Sequence, residues 1–229
     1  LVALGGQNPG AITVNKTMGT ATFGDAVSVT GGFTVTDGAT VFTSTAATGP
    51  LAVNADSLSL GGDLTVTGNL TTAATTTLTG NAANVAVSGG NISLAASSFT
   101  GTGGWSLTNV GSLTANNNTL AGLVINTGSS TLLGSNLLVG TGGIDLQTGQ
   151  LNWATNSITV NGSADFGNGT FLSTGSLTIT GTGTFTTGGK TYQAVGVTAG
   201  TTTLAGALNA ASINVSAGAT LESDATLTS

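Results

Sequence analysis

Apolar side chains recur two positions apart along almost the whole chain, with a small and usually polar residue between them. The pairs include Leu58-Ser-Leu60, Leu64-Thr-Val66, Val85-Ala-Val87, Ile92-Ser-Leu94, Ile144-Asp-Leu146, Ile158-Thr-Val160, Leu177-Thr-Ile179 and Ile213-Asn-Val215. A period of two is that of a strand with one buried face. Gly, Asn or Ser usually follows within a few residues, as a turn requires. Starts at Leu58 and Leu64, then at Leu78, Val85, Ile92 and Phe99, are six or seven residues apart. That rhythm is too short for a helical repeat and too regular for an ordinary sandwich. It predicts an all-β parallel β-helix, a solenoid in which each strand lies on the equivalent strand of the coil below.

With three strands per coil, a turn takes roughly 20 residues, so the chain makes about 11 coils. At ~4.8 Å per coil the rod is on the order of 50 Å long. Leu, Val, Ile and Phe form inward columns, Ala and Gly occupy crowded corners, and Thr, Ser and Asn face outward. Thr, the commonest residue, suits an exposed strand face because it is β-branched and its hydroxyl stays hydrated. Gly49-Pro50 marks a corner, since proline cannot donate to a central ladder. Residues 1–229 read as one solenoid domain, expected to be a processed product or a segment of a longer protein.

Two longer echoes suggest internal duplication. Phe23, Val27, Phe33, Val35 and Val41 match Leu204, Leu208, Ile213, Val215 and Leu221, and Ile12-Thr-Val-Asn15 returns as Ile158-Thr-Val-Asn161. A solenoid has two exposed ends, which a polar or charged repeat normally caps. The closing stretch, Ala217 to Ser229, keeps a strand pattern without such a cap. One end stacking on the start of another chain is a heterologous contact that generates fibres. Val14, Phe23, Val27, Phe33, Val35, Leu208, Ile213, Val215 and Leu221 are the expected interface for that assembly.

Composition removes other classes. Charged residues make up 4% of the 229, with two lysines, no arginine and a formal net charge of −6. Such a surface offers little to phosphates, which argues against nucleic acid and anionic membranes as partners. At 39% hydrophobic and a mean hydropathy of +0.37, the chain is too apolar for disorder. No apolar run approaches the roughly 20 residues of a membrane helix, so membrane insertion is not expected. Cysteine and histidine are absent.

The remaining chemistry is sparse. Asp25, Asp37, Asp56, Asp63, Asp145 and Asp165 read as turn or corner residues, too dispersed for paired general acid–base work, and no catalytic residue or cofactor is expected. Glu222 and Asp224 sit two apart and would bind Ca²⁺ only with oxygens from another coil; a solvated pair is the simpler reading. Trp105 and Trp153 flank apolar alternation, which favours core packing over exposed sugar platforms. Asn-x-Ser/Thr triplets at Asn15, Asn69, Asn91, Asn117, Asn161, Asn168 and Asn214 permit glycosylation without implying it. Thr-x-Thr starts at Thr20, Thr34, Thr65, Thr178 and Thr201 keep no fixed spacing, so they read as ordinary outward threonines rather than an ice-ordering ladder.

Segments such as Gly62-Asp-Leu-Thr-Val-Thr-Gly-Asn-Leu-Thr71 and Gly175-Ser-Leu-Thr-Ile-Thr-Gly-Thr-Gly183 resemble repeats of filamentous-haemagglutinin-like adhesins and autotransporter passenger domains. The resemblance runs from about Thr13 to the end and is carried by composition and loose motifs. It implies a right-handed parallel β-helix outside the cell or on its surface, acting as stalk, adhesin or matrix fibre. The expected function is structural, an end-to-end filament or part of a long fibre whose partner is the chain itself. The alternative is an adhesin or fibre module that binds glycans.

Overall fold

A computed structural model describes residues 2, 4–96, 98–223 and 226–228. The chain is a parallel β-solenoid of about 11 turns, about 19 residues apart, with no helix among the described residues. Each turn runs through three faces, here called A, B and C in chain order. Face A begins with Val27–Val29, Ala46–Thr48, Leu64–Thr67, Val85–Ser88 and Trp105–Thr108. Face B includes Leu51–Val53, Leu70–Thr72 and Asn91–Ser93; face C includes Ser57–Leu60, Ile158–Val160 and Ser176–Ile179. Longer strands, such as Thr119–Leu133 and Leu137–Ala154, bend around corners and serve all three faces. Every strand pairs in parallel with its counterpart one turn away, and face B of the last turns forms a separate three-stranded ladder.

The register explains why the apolar pairs are the folding signal. On face A, Leu64, Val85, Trp105, Leu123, Ile144, Ala164, Phe185 and Leu204 succeed one another and all are buried. Face B stacks Phe33, Leu51, Leu70, Ile92, Leu113 and Leu133. Face C stacks Leu58 on Leu78 and Phe99, and further on Ile158, Leu177 and Val195. Parallel in-register strands place like beside like, so one apolar column is removed from water over the whole rod. Each fully buried Leu or Val contributes roughly 1.5–3 kcal/mol. Val66 and Leu177 point inward as the period requires, both at 0% exposure.

Columns vary in bulk, and neighbours compensate. Phe99 swings its ring beneath two glycines: a Cβ on Gly80 would stand 3.2 Å from that ring, and one on Gly101 3.0 Å. Trp105 meets the same ring edge-on at a centroid distance of 4.9 Å. Farther along, Trp153, Phe166, Phe171, Phe185 and Tyr192 form a continuous aromatic cluster with centroids 4.7 to 6.4 Å apart. Trp105 and Trp153 are each 1% exposed, which places them in the core and removes them as sugar platforms. Their indole Nε1 atoms are buried and have no hydrogen-bond partner among the described residues.

Corners use two devices. Side-chain amides reach between turns, as where Asn69 Oδ1 accepts from the Asn91 N–H at 2.9 Å and Asn84 Oδ1 from the Gly104 N–H at 3.0 Å. Glycine stands where turns touch: a Cβ on Gly175 would fall 1.8 Å from the Asn156 carbonyl oxygen. Gly49-Pro50 is a corner between faces A and B.

Two expectations are corrected. Asp145 and Asp165 are not corner residues; they sit on strands of face A, paired one above the other. The strand period around Ile144 and Leu146 overrides aspartate's preference for turns. The echoed segments also do not occupy equivalent places. Phe23 pairs with Phe42 on face C, whereas Leu204 pairs with Phe185 on face A. Ile12 lies on face B and Ile158 on face C. In both echoes the match is displaced by one face, so the echoed segments are not whole turns repeated in register.

Candidate functional site

Among the described residues, the first and last turns and one irregular corner bear on contact with other molecules. At the C-terminal turn, Ile213–Val215, Thr220–Glu222 and Leu227–Thr228 each pair with the preceding turn only. The other edge of each carries N–H and C=O groups without a strand partner among the described residues, the arrangement on which further strands add. Val215 is 42% exposed and Leu227 48% exposed, while Ile213 and Leu221 are half-buried. At the opposite end, Ala11–Phe23 pairs with Gly32–Phe42, and its outer edge carries one isolated bridge, from Val2 to Phe23. Leu4 packs there against the core. Register jumps from Asn15–Asp37 to Thr20–Ala39, so Lys16 to Gly19 bulge outward and Met18 is 83% exposed.

The expected interface residues fall into two groups. Val14, Phe23, Val27, Phe33 and Val35 gather in the first turns and are buried, with the Phe23 and Phe33 rings 5.4 Å apart. Leu208 is buried in the last turns. Their side chains serve the chain's own core. Ile213, Val215 and Leu221 retain accessible surface at the open end, together with Leu227, which the sequence reading missed. Leu227 follows the same period of two, but its place in the last turn is visible only in the ladder.

The second place lies at the C-to-A corner. Three residues, 102–104, join the strands Phe99–Gly101 and Trp105–Thr108. One turn on, only Ala121 and Gly122 separate Leu120 from Leu123; on the next, Gly140 to Gly143 separate Val139 from Ile144. The short corner leaves a notch between longer neighbours. Two adjoining grooves of about 600 and about 490 Å³ open there and share Thr102, Ala121 and Thr141. The first is lined by Phe99, Asn117, Asn118, Thr119 and Asn161 among others. Trp105, Asp145, Ser163 and Asp165 line the second.

Asn118 is buried and anchors the first groove. Its Oδ1 accepts from the Phe99 N–H at 2.8 Å, and its Nδ2 donates to the carbonyls of Ala95 at 2.7 Å and Ala115 at 2.6 Å. In the second, Gln147 Nε2 donates to Asp145 Oδ2 at 3.0 Å and the Gly167 N–H to Asp165 Oδ1 at 2.7 Å. Lys190 Nζ donates to the carbonyls of Phe166 and Gly167. Burial lowers the Lys190 ammonium pKa, partly offset by the Asp165 charge. Burial and then Asp165 push the Tyr192 phenol well above its ordinary value, and its hydroxyl donates to the Thr187 carbonyl at 3.1 Å.

Other candidates disperse. Among the described residues no three of His, Cys, Asp and Glu lie together as metal ligands. Glu222 is exposed in the last turn, and Asp224 lies outside the described residues. Outward Ser59, Thr79 and Thr100 do stack in register, but Leu138 follows Thr119 and Gly196 follows Thr178, interrupting the column. Comparison with known proteins returned no match to any family model, curated protein or solved structure.

Proposed function

We propose that this chain is a structural rod of the cell exterior, which stacks end to end into a filament or forms part of a long surface fibre. The parallel ladder carries this reading: at its last described turn Val215 and Leu227 are exposed beside backbone groups that a further turn, of this chain or of another copy, would pair and cover. Stacking the first turn of a second copy there would continue the ladder and cover those side chains. The sparse charge favours such an end contact, since little repulsion opposes it. The resemblance to surface β-helix repeats supports an extracellular setting.

Electron microscopy beside sedimentation of the purified chain tests the reading. Long fibres of uniform width are expected, and Val215→Lys, which places a charge on the open edge, is expected to shorten them to single rods. Monodisperse rods at every concentration would overturn polymerisation by this segment.

A further inference from the structure

The notch at the C-to-A corner is not explained by rod assembly. Corners of three and four residues on either side would stack more uniformly if the Ala121–Gly122 corner matched them. Instead the chain opens a groove across four successive turns, marked by Thr102, Ala121, Thr141 and Asn161. Its polar surface combines amides and hydroxyls (Asn117, Thr119, Asn161, Ser163) with two carboxylates stacked on adjacent strands, Asp145 and Asp165. Neither lysine of the chain lines it.

We propose that this groove binds a neutral, extended glycan lying along the rod axis, about one sugar per turn. Amides and hydroxyls both donate and accept, which suits a ligand whose hydroxyls do the same. Asp145 and Asp165 accept strongly from sugar hydroxyls and repel anionic chains, while Lys190, the cation on which the Asp165 charge acts, stands outside the lining. Glycines 140, 142 and 143 form one wall where neighbouring turns touch, since a Cβ on each would stand 2.9, 2.8 and 2.3 Å from a carbonyl oxygen of an adjacent turn. The groove crosses turns spaced by roughly 4.8 Å, close to the advance of an extended β-linked sugar chain. The site is independent of assembly: a rod that never polymerises still carries it.

Calorimetric titration with cellotetraose and chitotetraose, against tetragalacturonate as the anionic probe, tests the proposal. Saturable binding of a neutral tetrasaccharide is expected, with none of the anionic one. Thr141→Trp fills the groove from an exposed position shared by both halves, and should weaken binding by about tenfold or more; Thr65→Trp, elsewhere on face A, should not change it. The paired variant Asp145→Asn/Asp165→Asn should weaken binding severalfold, and reports on the site even if the tryptophan variant fails to fold. Failure of both neutral probes to bind, preference for the anionic probe, or binding that neither the filled groove nor the amide pair weakens would overturn it. Fibres in the microscope without sugar binding would sink this site and leave the rod standing.

Discussion

Phe33→Ala tests whether this rod is held together locally. Phe33 is fully buried near the first turns and meets Phe23 at 5.4 Å and Phe42 at 4.9 Å, both edge to face. Truncating a buried Phe costs about 3–5 kcal/mol, and the aromatic pairs place this site at the upper end. In a globular domain that loss would lower protection everywhere. In a solenoid each turn contacts only its neighbours, so stability is a sum of turn and interface contributions. The change should raise local opening by roughly two to four powers of ten. Hydrogen exchange read by mass spectrometry should show that acceleration between Ala11 and about Leu60, with protection from Val85 to Ala210 unchanged. Equal acceleration along the whole chain would refute the locality, and unchanged exchange would refute the packing.

The remaining predictions concern polar groups in the same core. Asn118→Leu leaves the Phe99 N–H and the carbonyls of Ala95 and Ala115 without their side-chain partner, and should destabilise by about 2–4 kcal/mol, read as a lower melting temperature; an unchanged melt would refute the anchoring role. Tyr192 is the only tyrosine, so phenolate absorbance reports it alone. Its folded pKa is raised, so its contribution is complete below the unfolded value near 10 and is lost as pH climbs above it. Lys190, with its pKa lowered, acts with the opposite sign, since the folded state sheds that proton first. Melting should therefore fall above about pH 10 in the parent and fall less in Tyr192→Phe; phenolate forming near pH 10 without loss of circular dichroism would refute the burial argument.

The strands were legible because their period of two survives in every turn, from Leu58 to Leu177. Corners were not. A corner of two residues and one of four have the same Gly, Thr and Asn chemistry, so Ala121-Gly122 gives no sign that it is short. Variable corners also hide register: Thr79 stacks on Thr100 although the sequence shows no fixed threonine spacing. Asp145 resembles a turn residue because aspartate favours turns and glycines lie two and three positions before it, while its neighbours Ile144 and Leu146 fix a strand. Which apolar residues stay accessible at an end was equally invisible, since Ile213 and Phe33 have the same local pattern, yet Phe33 has a strand on both sides and Ile213 pairs with Val195 alone among the described residues.

The one-face displacement of the echoed segments bears on how such a chain changes length. If a stretch that lies on face B can resemble one that lies on face C, a face is exchangeable with the next, and the smallest unit that can be gained or lost is a strand with its corner rather than a full coil. Unequal recombination between any two similar strands then rotates everything downstream by a third of a turn and leaves the rod sound. Lineages carrying this architecture should differ in length by steps near a third of a coil, with the angular position of their outward surfaces differing to match.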